Sequence, residues 1–406
     1  MTFETEEELD EKCIKNIGGT VLIAKELDVD DSSGLPAGKA GKSKKGTLKE
    51  VIPPLLHKEL KSVKKKAVFS FRCFGVPRSD IRSLYKECKQ FLKAKSMPSR
   101  YIGNERHPAK PGTLLLRGIP GPNSCEVIVL RDPQSKKKKI WIGKTCAVQD
   151  IEAYTELDVG KPFRDTATGL LPPKLAQIMI NFSQLTLGGG AINRSKAAAE
   201  PRKPLGSFAT GLWEKMTVWD PFCGSGVIVL EGLIRRSHVL ASDKSERVIK
   251  GCQKNIKWIR NKEKTPKAIT SHAWKQNATK KCELPRRPTV IVTETSLGPA
   301  LKKAPTKREV STLVKEAETL ELGFFENLAE NFPDVPVVCT FPVYITRDGE
   351  KHFLPKVLPK IEKLGYRLTC VHNKNVRVTD RSSLLYLRPD QHVGREILCF
   401  LPPQKS

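Results

Sequence analysis

The sequence predicts an α/β fold in which a mostly parallel sheet of about seven strands follows a smaller α+β region. The apolar run 217–220 ends in an acid, turns through two glycines by residue 226 and continues as an apolar helix. A second apolar run, 238–243, follows after the length of one crossover helix. Further runs alternate with helical segments up to residue 401; they include a helix over 248–259, a strand that begins at 268 and a helix over 311–331. The last runs lie close enough together to be antiparallel at one edge.

The turn after the first run is the candidate ligand-binding loop. Ligands bind beyond the carboxyl ends of strands in open α/β sheets, and glycines let the backbone approach them closely. The spacing from Asp220 to Gly226, D-x-x-x-G-x-G, matches neither a phosphate loop nor the G-x-G-x-x-G dinucleotide loop, which disfavours a dehydrogenase. Asp243 comes about 20 residues later, where an acid accepts hydrogen bonds from ribose hydroxyls.

The composition favours a nucleic-acid partner. The chain has 406 residues, a net charge of +27 and a pI of about 9.7, and such a surplus attracts polyanions, although it is also compatible with a merely basic surface. No apolar run approaches the roughly 18 residues of a membrane span, and the acidic start lacks the apolar core of a secretory signal. The cysteines form no C-x-x-C pair, so we expect reduced thiols and a cytoplasmic protein.

The composition along the chain predicts three parts. Residues 1–60 form an α+β segment with a flexible basic insertion at about 28–49, which is rich in Asp, Ser, Gly and Lys. Residues 61–147 show a strand, a helix and two strands around a lysine-rich turn, an order typical of a small α+β module. Residues 148–406 contain the glycine loop and form the largest domain.

These motifs resemble a known family. D-P-F-C-G-S-G at 220–226, followed by the A-S-D end of the next strand, is similar to the S-adenosylmethionine (SAM) site of Rossmann-like methyltransferases. The resemblance is greatest to the RNA guanine-N2 branch, in which a THUMP domain precedes the catalytic domain, and it extends from about 148 to 401. It implies SAM as the cofactor, the exocyclic N2 of a guanine as the target, tRNA as the substrate, and RNA binding by the THUMP-like module at 61–147.

The resemblance also implies the cofactor-binding residues. The helix that begins at the Pro172-Pro173 step resembles a family segment, proline then K-L-A then Asn, that packs beside the SAM site. Asn277 stands where the family often has an acid that receives the adenine amino group, and its side-chain oxygen can still accept. The expected set is Asp220, Phe222, Gly224, Gly226, Asp243, Asn277, Lys174 and Asn181.

The buried run 288–293 ends at the expected catalytic loop. Enzymes that methylate exocyclic amines carry [DN]-P-P-[YF] there, because an oxygen of the first residue and a backbone carbonyl accept the amine hydrogens and direct the nitrogen lone pair at the methyl group. This chain has Glu294, Thr295, Ser296 and Leu297 at those positions.

The loop departs from the family pattern at every position. Glu294 keeps the acid, but both prolines are replaced, and Leu297 stands where the aromatic ring would stack on the extruded base. Loss of that ring weakens stacking that contributes roughly 1–3 kcal/mol per base. Phe163 or Phe341 could supply a ring instead.

Lysine-rich segments are the candidate RNA contacts. One is the turn before residue 139 and the other follows the catalytic loop; both could equally be solvated surface. The expected contacts are Lys136, Lys137, Lys138, Lys302, Lys303, Lys307 and Arg308.

The sequence therefore predicts a SAM-dependent RNA methyltransferase. The chemistry requires no metal, because the cofactor already carries an activated methyl group. The chain is expected to bind RNA and no membrane. A small activator protein as a further partner is compatible with the sequence. Two alternatives remain: a DNA amino-methyltransferase, and a catalytically degenerate RNA-binding protein that kept the fold, which the altered loop favours.

Overall fold

The computed structural model describes residues 11–27, 47–60, 66–131, 140–165, 170–187, 213–369, 379–381, 383–389 and 391–403. They form two compact units, Met1–Tyr154 and Thr155–Ser406. Each unit has its own sheet and its own apolar core. Among the helices in these ranges, none is both long enough and apolar enough to cross a membrane.

The first unit is an α+β structure with a five-stranded sheet in the order β1-β5-β4-β2-β3. Parallel pairing joins β2 to β3 and to β4, whereas β5 is antiparallel to β4 and β1. Its elements are α1 (Glu11–Asn16), β1 (Leu22–Glu26), α2 (Leu48–Glu59), β2 (Ala67–Phe74), α3 (Arg78–Ala94), β3 (Ser99–Tyr101), α4 (Pro111–Leu116), β4 (Ser124–Arg131), β5 (Ile140–Val148) and α5 (Ile151–Thr155).

The structure joins the two N-terminal parts that the sequence analysis separated. Leu22 of β1 pairs with Val148 of β5, so residues on both sides of the expected boundary at 60 share one sheet. Apolar residues of α2 and α3 also pack into one core over β2 and β4. The composition of the sequence changes near residue 60, but strands on both sides of this position pair in one sheet. The change in composition therefore does not mark a domain boundary.

The second unit is built on a larger sheet with helices on both faces. Its elements are α6 (Pro173–Leu187), β6 (Thr217–Asp220), α7 (Val227–Ile234), β7 (His238–Asp243), α8 (Glu246–Lys262), β8 (Ser271–Lys275), β9 (Val290–Glu294), α9 (Lys307–Asn331), β10 (Val337–Ile345), β11 (Lys351–His352), α10 (Val357–Lys363), β12 (Arg367–Leu368), β13 (Leu384–Tyr386) and β14 (Val393–Leu401).

The strand order confirms the predicted fold class. Seven strands run in the order β12-β14-β10-β9-β6-β7-β8, and β11 and β13 pair alongside β10 and β14. The five strands from β10 to β8 are parallel, and β14 is antiparallel to β10 at the edge where antiparallel pairing was predicted. The chain leaves β6 toward β7 and later resumes at β9 on the other side, so β6 lies at the switch point of a Rossmann-like sheet.

Alternating side chains divide the core of this unit between the two faces of the sheet. Val218 packs with α6 and α7, whereas its neighbour Trp219 packs with α9 and α10. Val290 and Ile291 divide in the same way. The period of two of a β-strand therefore provides apolar side chains for the helices on both faces of this sheet.

The predicted starts of one strand and one helix are wrong by three and four residues. Strand β8 begins at Ser271, not at residue 268, and helix α9 begins at Lys307, not at residue 311. Thr306 caps α9: its hydroxyl accepts from the Glu309 N–H at 3.3 Å, and Glu309 Oε2 accepts from the Thr306 N–H at 2.7 Å. The T-x-x-E pattern was a readable start signal in the sequence. Lys307 and Arg308 therefore belong to a helix and not to a loop.

The cap predicts a measurable loss of stability. We expect Thr306→Ala to lower the free energy of unfolding by about 1 kcal/mol, because the N–H of Glu309 loses its acceptor. Thr319→Ala is the matched control, since that exposed hydroxyl only bonds back to the Lys315 carbonyl within α9. Urea unfolding of the three proteins measures the difference, and equal losses in both variants would contradict the role of the cap.

Candidate active site

Two left-handed glycines shape the loop after β6. Gly224 has φ +50° and Gly226, which precedes the first turn of α7, has φ +87°. A Cβ on Gly226 would lie 2.7 Å from Cys252 Sγ, whereas the nearest atom to a Cβ on Gly224 is 4.0 Å away. Gly226 is thus required for packing against α8, while Gly224 leaves the loop open for a bound molecule.

Asp220 ends β6 beneath this loop and is buried. Its Oδ1 accepts from the Phe222 N–H at 3.2 Å and from the Thr293 hydroxyl at 2.7 Å. Burial raises the pKa of Asp220 to about 8; the two hydrogen bonds oppose this, and the carboxylates of Asp243 and Glu294 add to it. The carboxyl is therefore mainly protonated at neutral pH.

Asp243 ends the neighbouring strand β7 and fastens the glycine loop to it. Its Oδ2 accepts from the Gly224 N–H at 3.2 Å, and its Oδ1 accepts from the Ser245 N–H at 2.9 Å. The backbone adds a bond from Cys223 N–H to the Ser242 carbonyl at 3.0 Å. The structure thus brings Asp220, the glycines and Asp243 together at one edge of the sheet.

Asn277 lies just beyond the adjacent strand β8, near the same edge. The N–H and hydroxyl of Thr279 both donate to its Oδ1, each at 3.0 Å. Both acceptor positions of that oxygen are thereby used within a local turn. The structure places Asn277 where it was expected but does not leave its oxygen open.

Helix α6 contributes less than the sequence analysis expected. Lys174 lies in its first turn, half-buried. Asn181 accepts from Arg235 Nη1 at 2.6 Å, and Arg235 directly follows the last residue of α7. Because α7 starts at the glycine loop and is about 12 Å long, Asn181 lies near the opposite end of that helix, and its expected contact with a cofactor is not supported.

Asn181 belongs to a buried polar network. Arg235 donates to Glu231 Oε1 at 2.9 Å, and Gln177 donates to the same oxygen at 3.1 Å. This network joins α6 to α7, and it gives Asn181 a structural role in holding the two helices together.

The aromatic candidates make packing contacts within the second unit. Phe222 packs edge-on against Phe324 with ring centroids 5.2 Å apart. Phe163 packs on α8, where a Cβ on Gly251 would come within 2.1 Å of its ring. Phe341 is completely buried in the core and cannot stack on a base. Burial therefore excludes Phe341 as a substitute for the missing aromatic, whereas Phe163 is half-buried and packs against α8.

Phe163 nevertheless belongs to the surroundings of the glycine loop. The Asn255 side chain accepts from the Phe163 N–H at 2.8 Å and donates to the carbonyls of Phe163 and Ser225 at 2.9 and 2.8 Å. One buried amide thus ties the segment before α6 to the loop. Asn255 was not predicted as a site residue, because the sequence indicates only that it belongs to a helix.

Glu294 at the end of β9 forms an ion pair that the sequence analysis did not anticipate. Arg395 of β14 donates through Nε to Glu294 Oε1, and its Nη2 reaches the Leu170 carbonyl at 3.4 Å. The Arg395 side chain is only 3% exposed and that of Glu294 15%. Among the described residues no group bonds to Oε2, which is the free oxygen of the carboxylate. Burial raises the pKa of Glu294, and Arg395 opposes this rise.

The rest of the catalytic loop is held by hydrogen bonds. The buried Thr295 hydroxyl donates to the Thr340 carbonyl of β10 at 2.6 Å. The Leu297 carbonyl accepts from the Tyr344 hydroxyl at 3.5 Å, and the Leu297 side chain is half-buried. Ser296 is exposed, and its hydroxyl accepts from the Gly298 N–H at 3.4 Å.

Tyr386 is the aromatic residue beside the ion pair. The guanidinium carbon of Arg395 lies 6.0 Å from its ring centroid, and Arg388 donates to its hydroxyl at 2.9 Å. Neither Arg395 nor Tyr386 was predicted as a site residue. The pairing of β14 with β10, which itself pairs with β9, brings Arg395 to Glu294, and the pairing of β13 with β14 places Tyr386 beside Arg395.

The candidate RNA contacts have different surroundings. Lys302, Lys303 and Arg308 are exposed near the catalytic loop. Lys307 is paired with Glu350 at 2.8 Å and lies 3.9 Å from Asp348, so its charge is partly compensated. Lys136, Lys137 and Lys138 lie outside the described residues.

Comparison with known families and proteins gives one partial match. The family model described as "Conserved hypothetical protein 95" matches residues 205–291. This match covers about a fifth of the chain and includes the glycine loop, Asp243 and Asn277. No curated protein matches the sequence.

Similar solved structures include several methyltransferases. Magnesium protoporphyrin IX methyltransferase from Synechocystis PCC 6803 with bound SAM has 12% identity and a TM-score of 0.31, covering 58% of this chain and 86% of its own. A presumed RNA methyltransferase from Pyrococcus horikoshii has 12% identity and a TM-score of 0.32, covering 63% and 100%. A methyltransferase from Pyrococcus furiosus has 14% identity and a TM-score of 0.33, covering 62% and 94%. These likenesses are too low to support an activity, and the fold assignment rests on the strand order.

The Glu294–Arg395 pair predicts a pH-dependent loss of stability. We expect Arg395→Met to lower the free energy of unfolding by about 3–5 kcal/mol at pH 8, because a buried carboxylate then lacks its partner. The pKa of Glu294 then rises further, so the loss is smaller at pH 5, where the group can bind a proton.

Urea unfolding at the two pH values measures this effect. The control is the double variant Glu294→Gln with Arg395→Met, which removes both charges and should be less destabilised at pH 8 than Arg395→Met alone. An equal loss at both pH values in the single variant would show that Arg395 acts by packing and not through Glu294.

Proposed function

We propose that this chain is a SAM-dependent RNA methyltransferase whose target is the exocyclic N2 of a guanine in tRNA. One observation carries the proposal: Asp220, Asp243 and Glu294 end three neighbouring parallel strands around an open glycine loop at the switch point of the sheet. A cofactor bound at this loop and an amine beside Glu294 would lie at the same edge.

The residues at the loop fit SAM. Gly224 leaves open space where a side chain would otherwise stand, and Asp243, which ends β7, would accept from ribose hydroxyls. Asp220 supplies a buried carboxyl close to the loop, and a cationic ligand bound there would favour its ionised form. When bound, SAM would supply an activated methyl group. The protein would then contribute mainly position and orientation.

Glu294 is the residue that would orient the target amine. Arg395 holds Oε1, so Oε2 is the oxygen that can accept one amine hydrogen, while the backbone carbonyl of Thr295 is the expected acceptor for the other. The amine nitrogen loses a proton as it gains a methyl group. The raised pKa of Glu294 suits it to receive that proton.

Charge supports RNA as the substrate. The net charge of +27 favours a polyanion, and the exposed Lys302, Lys303 and Arg308 flank the catalytic loop. We propose that these residues contact the RNA backbone and that the first unit serves as the THUMP-like RNA-binding module. Lys307 is assigned a smaller part because Glu350 already pairs with it.

One observation favours a second candidate function. Leu297 stands in place of an aromatic ring, Phe341 is buried in the core, and Phe163 packs against α8. A chain that binds SAM and RNA without transferring a methyl group would have the same fold and the same charge. Activity measurements separate this binding protein from the enzyme.

The first experiment measures transfer of labelled methyl from SAM to unmodified tRNA, with duplex DNA in parallel. We expect label in tRNA, at N2 of guanine on nucleoside analysis. Glu294→Gln keeps the size of the side chain but not its basicity, and should lower the rate by roughly 10²-fold or more without weakening SAM binding.

Lys360→Gln, on the exposed side of α10, is the matched control and should retain the wild-type rate. Label in DNA alone would identify a DNA methyltransferase. If both SAM and tRNA bind but neither nucleic acid is labelled, the binding-protein function is supported instead.

The state of Asp220 predicts proton release on cofactor binding. Its pKa of about 8 means that the carboxyl is mainly protonated at pH 7, and a nearby sulfonium would favour the ionised form. We therefore expect SAM to release up to one proton per site and to bind more tightly as the pH rises toward 8. Calorimetry at pH 7 in buffers of different ionisation enthalpy measures the release.

S-adenosylhomocysteine, which lacks the positive charge, should release less than SAM, and Asp220→Asn should abolish the difference between the two ligands. Equal proton release by both ligands from the unaltered protein would contradict the assigned role of Asp220.

A further inference from the structure

A carboxyl group with no hydrogen-bond partner lies under the catalytic loop. Glu321 of α9 is completely buried, and neither of its carboxyl oxygens has a partner among the described residues. A buried polar group without a hydrogen bond is costly, and a buried unpaired charge is costlier still. The position of Glu321 at this loop therefore requires an explanation.

The groups facing Glu321 include no cation in the described part of the chain. From β10 it is faced by the Cys339 thiol and the Tyr344 hydroxyl, and the pKa of each is raised by burial and by Glu321. The loop contributes the Thr295 hydroxyl, which lies close enough to oppose the rise in the pKa of Glu321, although neither carboxyl oxygen of Glu321 is hydrogen-bonded in the described part of the chain. On its own helix, Glu318 accepts from the Lys356 N–H at 2.7 Å. Glu396 of β14, which affects the pKa of Cys339, is paired with Arg381 at 3.3 Å.

The Thr295 hydroxyl determines which form of Glu321 can bond to it. That hydroxyl has one proton and donates it to the Thr340 carbonyl at 2.6 Å. Toward Glu321 it can therefore only accept. An ionised carboxylate cannot donate, whereas a protonated carboxyl can.

We propose that Glu321 is a positioning residue that, in its protonated form, donates to Thr295 and thereby holds the catalytic loop against β10. The hydrogen bonds would run from the Glu321 carboxyl to the Thr295 hydroxyl and from there to the Thr340 carbonyl; the second of these bonds is present in the structure at 2.6 Å. This inference rests on the proposed function insofar as it takes the loop from Glu294 to Leu297 as the catalytic one. Burial raises the pKa of Glu321 to about 8, which agrees with a protonated group at neutral pH.

Ionisation of Glu321 would reverse the direction of these hydrogen bonds. The Thr295 hydroxyl would turn its proton to the carboxylate, because hydrogen bonds to charged acceptors are the stronger ones. The Thr340 carbonyl would then lose its donor from the loop. The remaining anchor is the long bond of 3.5 Å from Tyr344 to the Leu297 carbonyl. The loop would therefore be less well held above the pKa of Glu321.

These hydrogen bonds also suggest how the loop is kept rigid without the two prolines of the [DN]-P-P-[YF] pattern. Prolines stiffen a loop by restricting φ, and this loop has Thr295 and Ser296 in their place. Hydrogen bonds from Thr295 and to Leu297 provide rigidity by another route. Unlike the rigidity given by a proline ring, the rigidity given by these hydrogen bonds depends on the protonation of Glu321.

The test compares wild type with Glu321→Gln, whose amide N–H₂ can donate to Thr295 at every pH. At saturating SAM, which removes any effect of Asp220 on binding, we expect the single-turnover rate of wild type to fall up to tenfold per pH unit above pH 8. Glu321→Gln should keep its rate over that range. Glu321→Leu, which cannot donate, should be slower at all pH values with an unchanged Kd for SAM.

Glu318→Gln is the matched control on the same helix and should keep the wild-type pH profile. Glu321→Gln is close in size to glutamate, so it keeps the test valid if Glu321→Leu does not fold. If Glu321→Gln follows the same alkaline fall as wild type, the proposal is overturned.

A second readout does not depend on catalysis. Hydrogen exchange at the amides of Thr295, Ser296, Leu297 and Gly298, corrected for the intrinsic effect of pH, should accelerate through pH 8 in wild type and not in Glu321→Gln. If no RNA is methylated but this difference appears, the proposed function fails and the inference about Glu321 stands. Identical exchange in the two proteins overturns the inference whatever the activity.

Discussion

Parallel pairing at the centre of the second sheet is the constraint on which the site depends. Because β6 is parallel to both β7 and β9, their last residues meet at one edge, although Asp220 and Glu294 are far apart in sequence. The reversal of direction at β6 opens a crevice there. The proximity of the glycine loop, the acid that ends β7 and the acid that ends β9 follows from this arrangement.

Local signals in the sequence were sufficient for the strands and for the glycine loop. Apolar runs that end in an acid marked β6, β7 and β9, and the spacing between them specified crossover connections. The positions of Asp220, Gly224 and Asp243 followed because each lies within a few residues of a strand end. The predicted start of α9 was wrong because the stripe of apolar residues was read without its cap at Thr306.

Interactions between distant residues could not be predicted in this way. Arg395 is 101 residues from Glu294 and reaches it only through the antiparallel strand β14. Glu321 was indistinguishable from other helix residues until its burial was known. Asn181 followed a family pattern, yet its partner is Arg235. A motif specifies residue types at a spacing, whereas ion pairs and buried carboxyls depend on register between strands.

The contact of Arg395 with Glu294 and Leu170 also orders events during synthesis. The ribosome makes the glycine loop, the acids and the loop after β9 well before it reaches β14. A nascent chain would therefore assemble most of the crevice while Glu294 still lacked its cation. The carboxylate would acquire its fixed orientation only when β14 emerged and inserted between β10 and β12. The fixed orientation of Glu294 thus depends on β14, a strand made about 100 residues after Glu294.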